Sequence, residues 1–170
     1  MEREADFAIA GLSMWVEGPQ KYTDGQVDTQ WLEIRAVAKA TGSRIEIAGP
    51  FLRRMDFRQF RSSLTKIFDD LSGTASLGGL EPDLELSVDG DGMGHVKVTV
   101  DMTPDYMNQA HKISWTIDQS ELVEPLKQLR AVLVTTTLAA RMAAKKSRDD
   151  RRARRAAWSS PVEDRGGGSS

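Results

Sequence analysis

The stretch MDFRQFRSSLTKIFDDLSG, residues 55–73, decides the fold that the sequence predicts. Its large apolar side chains recur at steps of three and four residues, which is typical of one stripe of an α-helix. These side chains are Phe57, Phe60, Leu64, Ile67, Phe68 and Leu71. Asp56 is expected to cap the helix, with Gln59 completing a capping box, and Gly73 to close it in a left-handed conformation. Such a helix needs a sheet to lie on.

The remaining chain supplies strands and a second helix. Short runs of alternating apolar and polar residues predict strands that have one covered and one solvated face. The strand candidates are residues 7–16, 31–38, 44–49, 83–89, 95–101 and 111–118, with 75–82 as a weak edge strand. The second helix is expected to start near Asp118 or Ser120 and to bury Leu122, Leu126, Leu129 and Leu133. The prediction is an α+β fold, an antiparallel sheet of about six strands with two helices packed on one face.

Length and composition restrict the class of protein. A chain of 170 residues without cysteine is long enough for one core without disulfides and has no thiolate metal site. The N-terminus shows no signal-peptide pattern, and no apolar run approaches the roughly 20 residues of a membrane span. We therefore expect a cytoplasmic protein, not a membrane protein, with one domain over residues 1–144 and a basic, flexible tail over 145–170.

Charge is divided unevenly along the chain. Residues 1–140 hold 14 lysines and arginines against 21 aspartates and glutamates, whereas residues 141–170 hold 9 against 4. An acidic body favours a basic partner and repels nucleic acid. The tail has two interpretations, a solvated continuation of the second helix or a site for nucleic acid. The candidate cations are Lys145, Lys146, Arg148, Arg151, Arg152, Arg154 and Arg155.

Residues that could carry out catalysis or bind a metal are few. His95 and His111 each open a predicted strand on its solvated side, and a hydrolase would need a polar pocket around one of them. The segment Asp89-Gly-Asp-Gly departs from a calcium loop, because Met93 stands at a ligand position. Its glycines are better explained as a hairpin turn. We therefore expect no enzyme activity, no cofactor and no metal.

The solvated face of the predicted sheet is the candidate recognition surface. Its charged members should share one plane, as a rigid, acidic-leaning platform for a protein partner. They are Glu33, Arg35, Glu46, Asp83, Glu85, Lys97 and Lys112. Trp115 is expected to be a core residue. Trp31 falls on the outward register, and we expect residues 17–30 to cover it, the alternative being a contact surface.

The order of several short motifs resembles the WapI family of bacterial immunity proteins. D-x-x-W-L-x-I-R begins at Asp28, L-S-G ends the first helix, and L-E-P-x-L begins at Leu80. D-G-x-G-H-V follows from Asp91, and W-x-x-D-Q-S-x-L leads from Trp115 into the last helix. The resemblance covers roughly residues 5–135 and omits the tail.

The resemblance implies a protein that binds and neutralises a cognate toxin domain of the WapA type, a nuclease-like partner, by occlusion. An acidic body suits a basic nuclease. The alternatives are a nucleic-acid-associated adaptor that uses the basic tail, or a small binding module of another kind. The oligomeric state and the contact residues are left open.

Overall fold

A computed structural model describes residues 3–21 and 27–158, which form eight strands and two helices preceded or joined by short turns. Four strands followed by a helix occur twice in succession. The first set is β1 (Phe7–Ile9), β2 (Leu12–Lys21), β3 (Val27–Ala40), β4 (Ser43–Arg53) and α1 (Arg54–Asp70). The second set is β5 (Ser72–Gly78), β6 (Leu84–Asp91), β7 (His95–Met102), β8 (His111–Asp118), a 3₁₀ turn (Gln119–Leu122) and α2 (Val123–Trp158).

The strands form two antiparallel sheets, each with its four strands in chain order. The α+β class is confirmed, and the single sheet of about six strands is wrong. Residues 7–16 fold as a hairpin, because Ala10 (φ 50°) and Gly11 turn the chain so that Phe7 pairs with Met14. Alternation reports that a strand has one covered face, but it does not report which sheet the strand joins.

Both sheets contribute to one core. Phe7 of β1 meets Phe60 of α1 edge to face, with ring centroids 6.1 Å apart. A Cβ on Gly11 would lie 2.5 Å from the Trp115 ring, so the β1–β2 turn packs directly on β8. Gln128 of α2 accepts the Ala8 N–H at 2.8 Å, which pairs a backbone donor of the edge strand β1. Trp115 is half-buried against the core, as predicted.

Helix α1 buries four of the six residues of the predicted stripe, while Phe68 is half-buried and Leu71, beyond the end of the helix, is exposed. The residues at its two ends also differ from the prediction. Phe57, Phe60, Leu64 and Ile67 are buried. The N-cap is Arg53, not Asp56, and the Asp56 carboxylate accepts the Arg53 N–H at 2.7 Å. Leu71 (φ 62°), not Gly73, takes the left-handed position after the helix. The chain leaves α1 directly into β5, so the glycine falls inside that strand.

The predicted capping box opens a 3₁₀ turn, and helix α2 follows from Val123 and runs through the basic segment. Glu121 accepts the Asp118 N–H at 3.0 Å, the bond expected of a capping box. Leu122 and Leu129 are buried, while Leu126 and Leu133 pack on the core from a half-buried position. The helix continues to Trp158, so the basic segment is helical up to that residue, and the expected flexible end lies beyond the described residues.

Candidate protein-binding surfaces

The charged residues predicted to share one plane lie on two different sheets. Glu33, Arg35 and Glu46 belong to β3 and β4 of the first sheet. Glu85, Lys97 and Lys112 belong to β6, β7 and β8 of the second sheet, and Asp83 lies just before β6. The single common platform is therefore wrong, because the chain has two sheets in place of one.

On the first sheet the charges are paired with each other. The Arg35 guanidinium lies 4.4 Å from the centroid of the Trp15 ring and donates from Nε to Glu46 at 2.6 Å. Arg44 contacts the other oxygen of Glu46 at 2.5 Å. These hydrogen bonds, that from Arg35 first and that from Arg44 second, hold the pKa of the Glu46 carboxyl below its usual value. Arg35 is thus held in place by a carboxylate and an aromatic face.

On the second sheet the outer face is uniformly polar. Ser76, Ser87, Thr99 and Ser114 form one row across all four strands, and the hydroxyls of Thr99 and Ser114 lie 3.0 Å apart. In the neighbouring row, Lys112 pairs with Asp101 at 3.1 Å. These polar side chains are therefore paired with each other across neighbouring strands.

Glu46 of β4 and Asp83, in the turn before β6, both line a cleft of about 660 Å³. The cleft combines acidic and apolar groups. Its wall includes Trp31, Phe51, Leu80 and Glu81. The carboxylates of Glu81 and Asp83 form no ion pair within the described residues, so they are available to a cationic group of a partner.

Trp31 is half-buried in the wall of this cleft. The guanidinium of Arg53 lies 5.6 Å from its ring centroid. Gln20 lines the same cleft, but residues 22–26 of the expected covering loop lie outside the described residues. Both interpretations of Trp31, cover by residues 17–30 and a contact surface, therefore stay predictions.

A turn after β7 presents large side chains beside the cleft, and the sequence did not single them out. Pro104 lines the cleft, and the next residues turn around Asp105, whose side chain accepts the Met107 N–H at 3.0 Å and the Asn108 amide at 2.7 Å. The Asn108 bond is the larger cause of a pKa of Asp105 below its ordinary value. The turn leaves Tyr106 76% and Met107 72% exposed.

Two hydrogen bonds join the start of this turn to the 79–83 loop, part of which lines the cleft. Thr103 donates its N–H to the Asp83 carbonyl at 3.0 Å and its hydroxyl to the Pro82 carbonyl. Leu80, in the same 79–83 loop, is 72% exposed and lines the cleft. We call Leu80, Glu81, Asp83, Tyr106 and Met107 the cleft corner. Exposed apolar residues on two loops that are joined by hydrogen bonds favour an interaction surface, which a residue-by-residue pattern cannot reveal.

Of the two histidine candidates, His95 is exposed and His111 is half-buried. His95 Nδ1 lies 3.0 Å from the Asp91 carboxylate, and the His95 side chain is 62% exposed. Asp91 also accepts the Met93 N–H, and that bond is the largest cause of a pKa of Asp91 below its ordinary value. The glycines between β6 and β7 form a hairpin turn, as predicted, with positive φ at Gly92 and Gly94.

Residues 3–21 and 27–158 contain no cluster of three histidine, cysteine or carboxylate side chains able to hold a metal ion. In the same residues, no helix combines the length and the apolar character needed to cross a bilayer.

The model of the immunity protein WapI-like family matches residues 6–136. The chain belongs to this family. The resemblance found in the sequence is confirmed, and α2 beyond residue 136 lies outside the family pattern. No curated protein matches the chain.

Several solved structures share parts of the backbone arrangement. A chain of the CdiA-CT/CdiI toxin and immunity complex from Enterobacter cloacae is 10% identical with a TM-score of 0.41, covering 71% of this chain and 99% of that one. WHY1 from Arabidopsis thaliana is 12% identical with a TM-score of 0.44, covering 72% and 81%. WHY3 from the same plant is 12% identical with a TM-score of 0.37, covering 72% and 79%. Similarity at this level carries no argument about function.

Proposed function

We propose that this protein binds a cognate toxin domain and neutralises it by covering its active site. The observation that carries the proposal is the match of an immunity-protein family across residues 6–136, which includes both sheets and α1. The protein itself carries out no reaction in this proposal. The toxin is expected to be a basic, nuclease-like domain, because residues 1–140 carry seven more acidic than basic side chains.

Within this proposal the cleft corner is the centre of the contact. Tyr and Met are enriched in the cores of protein interfaces, and both are exposed here on a turn held by its own hydrogen bonds. Glu81 and Asp83 form no ion pair with any of residues 3–21 and 27–158 and would accept lysine or arginine side chains of the toxin. Glu46 is already bound by Arg35 and Arg44, so we assign it a supporting position.

The charged residues on the second sheet are secondary candidates. Lys97 and Lys112 carry the wrong charge for a basic toxin, and Lys112 is paired with Asp101. Glu85 lies on β6 immediately after Asp83 and Leu84, and could extend an acidic contact onto the sheet. Glu33 lies on β3 opposite Gly18 and is half-buried. These positions remain proposals for the rim of the contact.

Neutralisation of a toxin domain encoded next to the protein is the test. The nuclease activity of that domain should fall to background at one equivalent of this protein, and unrelated toxins should be unaffected. Met107→Ala should weaken neutralisation at least tenfold, since truncating a central interface residue typically costs about 2 kcal/mol. Met93→Ala is the matched control, because Met93 is equally exposed, at 76%, at the opposite end of β7.

Two results would contradict the proposal. If the protein leaves its neighbouring toxin fully active at equimolar concentration, the immunity function is wrong. If Met93→Ala and Met107→Ala weaken neutralisation equally, or neither does so, the assignment of the contact to the cleft corner is wrong while the immunity function stands.

A further inference from the structure

We propose that one face of α2 binds nucleic acid through its phosphates. Between Arg141 and Arg155 the cations follow each other at alternating steps of four and three residues, which keeps them on one stripe of a helix. They are Arg141, Lys145, Arg148, Arg152 and Arg155, and all are exposed. At about 100° per residue the five fall within an arc of about 80°. We call this row the basic stripe.

The acidic residues of the same segment are kept off this stripe. Asp150 lies on the opposite side of the helix from Arg141, and Asp149 and Arg151 lie about 80° to either side of Arg141, outside the arc. Lys146 and Arg154 also fall on the opposite side. Within the arc every charged side chain is a cation, whereas the rest of the segment carries both signs of charge, and this row of a single sign favours an anionic ligand.

The basic stripe continues into a groove between the two helices. Arg130, Val134, Leu138 and Arg141 lie on the same face of α2 and line this groove, of about 310 Å³, together with Arg61 of α1. The Nε of Arg61 is buried and has no hydrogen-bond acceptor among the described residues. An unpaired buried N–H is costly, and an anionic oxygen in the groove would satisfy it.

The residue types favour nucleic acid over a membrane or an acidic protein. Four of the five cations in the stripe are arginines, whose planar guanidinium groups match phosphate oxygens in pairs. From Arg141 to Arg155 the row extends about 21 Å, long enough for several successive phosphates. The opposite side of the segment combines alanines with Lys146, Asp150 and Arg154, and it lacks the large apolar face by which a helix lies in a bilayer.

Two double variants of the full-length chain distinguish binding by the basic stripe from a general attraction of nucleic acid to positive charge. Arg148→Gln with Arg152→Gln removes two charges from the basic stripe, while Lys146→Gln with Arg154→Gln removes two from the opposite face. Glutamine keeps the helix in both cases, which far-ultraviolet circular dichroism would verify. Binding is measured as the fluorescence anisotropy of a labelled 20-nucleotide RNA and a 20-base-pair DNA, from 20 to 300 mM NaCl.

We expect the stripe variant to bind either probe about tenfold more weakly at low salt, and its salt slope to fall by about 1.5. The opposite-face variant should keep its affinity within about threefold. Equal losses in the two variants would overturn the proposal, because they would show attraction to net charge alone. So would failure of the unaltered chain to bind either probe at 20 mM NaCl, or binding only to vesicles of anionic lipid. None of these results bears on toxin neutralisation.

Discussion

Gly11 lies in the β1–β2 turn, which packs against Trp115 of the second sheet. A Cβ there would lie 2.2 Å from the Lys39 carbonyl oxygen and 2.5 Å from the Trp115 ring. Gly11→Ala should therefore lower the free energy of unfolding by about 1–3 kcal/mol, the usual cost of overpacking. Urea denaturation measures this change. Gly78→Ala is the control, since its new Cβ would meet neighbours at an ordinary 3.5 Å. An unchanged free energy of unfolding in Gly11→Ala would contradict the close contact.

Glu46 provides a test of the electrostatics on the first sheet. Because its pKa is lowered in the folded state, the charged carboxylate stabilises the fold above the ordinary pKa of 4.5, and this stabilisation is lost as pH falls through the lower, folded value. Arg35→Met should raise the Glu46 pKa toward 4.5, measured by carboxyl NMR titration, and weaken the dependence of stability on pH below 4.5. Arg44→Met should raise the Glu46 pKa by less. A larger rise in Arg44→Met than in Arg35→Met would contradict the leading role of Arg35.

At the scale of elements, the two helix starts are a matched pair. Asp56 is buried and accepts both the backbone N–H of Arg53 and, at 2.9 Å, its guanidinium. Glu121 is exposed and accepts only the Asp118 N–H. Asp56→Ala should cost about 1–2 kcal/mol of stability, the upper range for a cap, and Glu121→Ala less. Differential scanning calorimetry measures the loss of stability in both variants. Equal losses would contradict the idea that the burial of Asp56 adds to its contribution.

Helices and the later strands could be predicted from the sequence because each has a strong local period. The stripe of α1 and the alternation of β8 follow that rule, and β8 has the predicted bounds. The β1–β2 hairpin could not be predicted in this way. Its turn residue Ala10 adopts a left-handed conformation that favours glycine or asparagine, so an alanine there gives no sign of a turn in the sequence. Strand β4 also continues through Pro50, where a shift of register with β3 accommodates the proline.

The candidate surfaces were predictable only in part, because a surface depends on how separate segments of the chain meet. Asp83 and Glu46 were identified as solvated charges, and the structure brings both to the cleft. Tyr106 and Met107 were missed because they sit on a turn whose exposure depends on how the 79–83 and 103–110 loops meet. The basic segment was noted as a charge run, but its sorting by face requires a continuous helix to Trp158.

At the scale of the whole molecule, the prediction of a domain over residues 1–144 can be tested by truncation. Residues 145–158 are all exposed, whereas α2 still buries Val132 and Thr136. Deleting 145–170 should leave the thermal midpoint of the domain within about 2 °C of the full chain, since exposed termini contribute little to the core. Deleting 131–170 should unfold it. A large loss of stability from the shorter deletion would place the C-terminal segment within the domain.

The acidic body and the basic stripe give the molecule two surfaces of opposite charge. The cleft corner suits a basic protein partner, and the stripe suits a polyanion, so the two proposed partners would not compete for one surface. A toxin-bound complex should therefore keep its affinity for the labelled RNA. Anisotropy titration of the preformed complex measures this, and displacement of the RNA by the toxin would indicate overlapping surfaces.

Hydrogen–deuterium exchange on the complex with the toxin domain encoded next to this protein tests the central claim most directly. Occlusion through the cleft corner predicts slower exchange in residues 46–51, 79–83 and 103–110, with little change on the hydroxyl row of β5–β8 or beyond residue 141. Protection confined to the outer face of the second sheet or to α2, with these three segments unchanged, would contradict it.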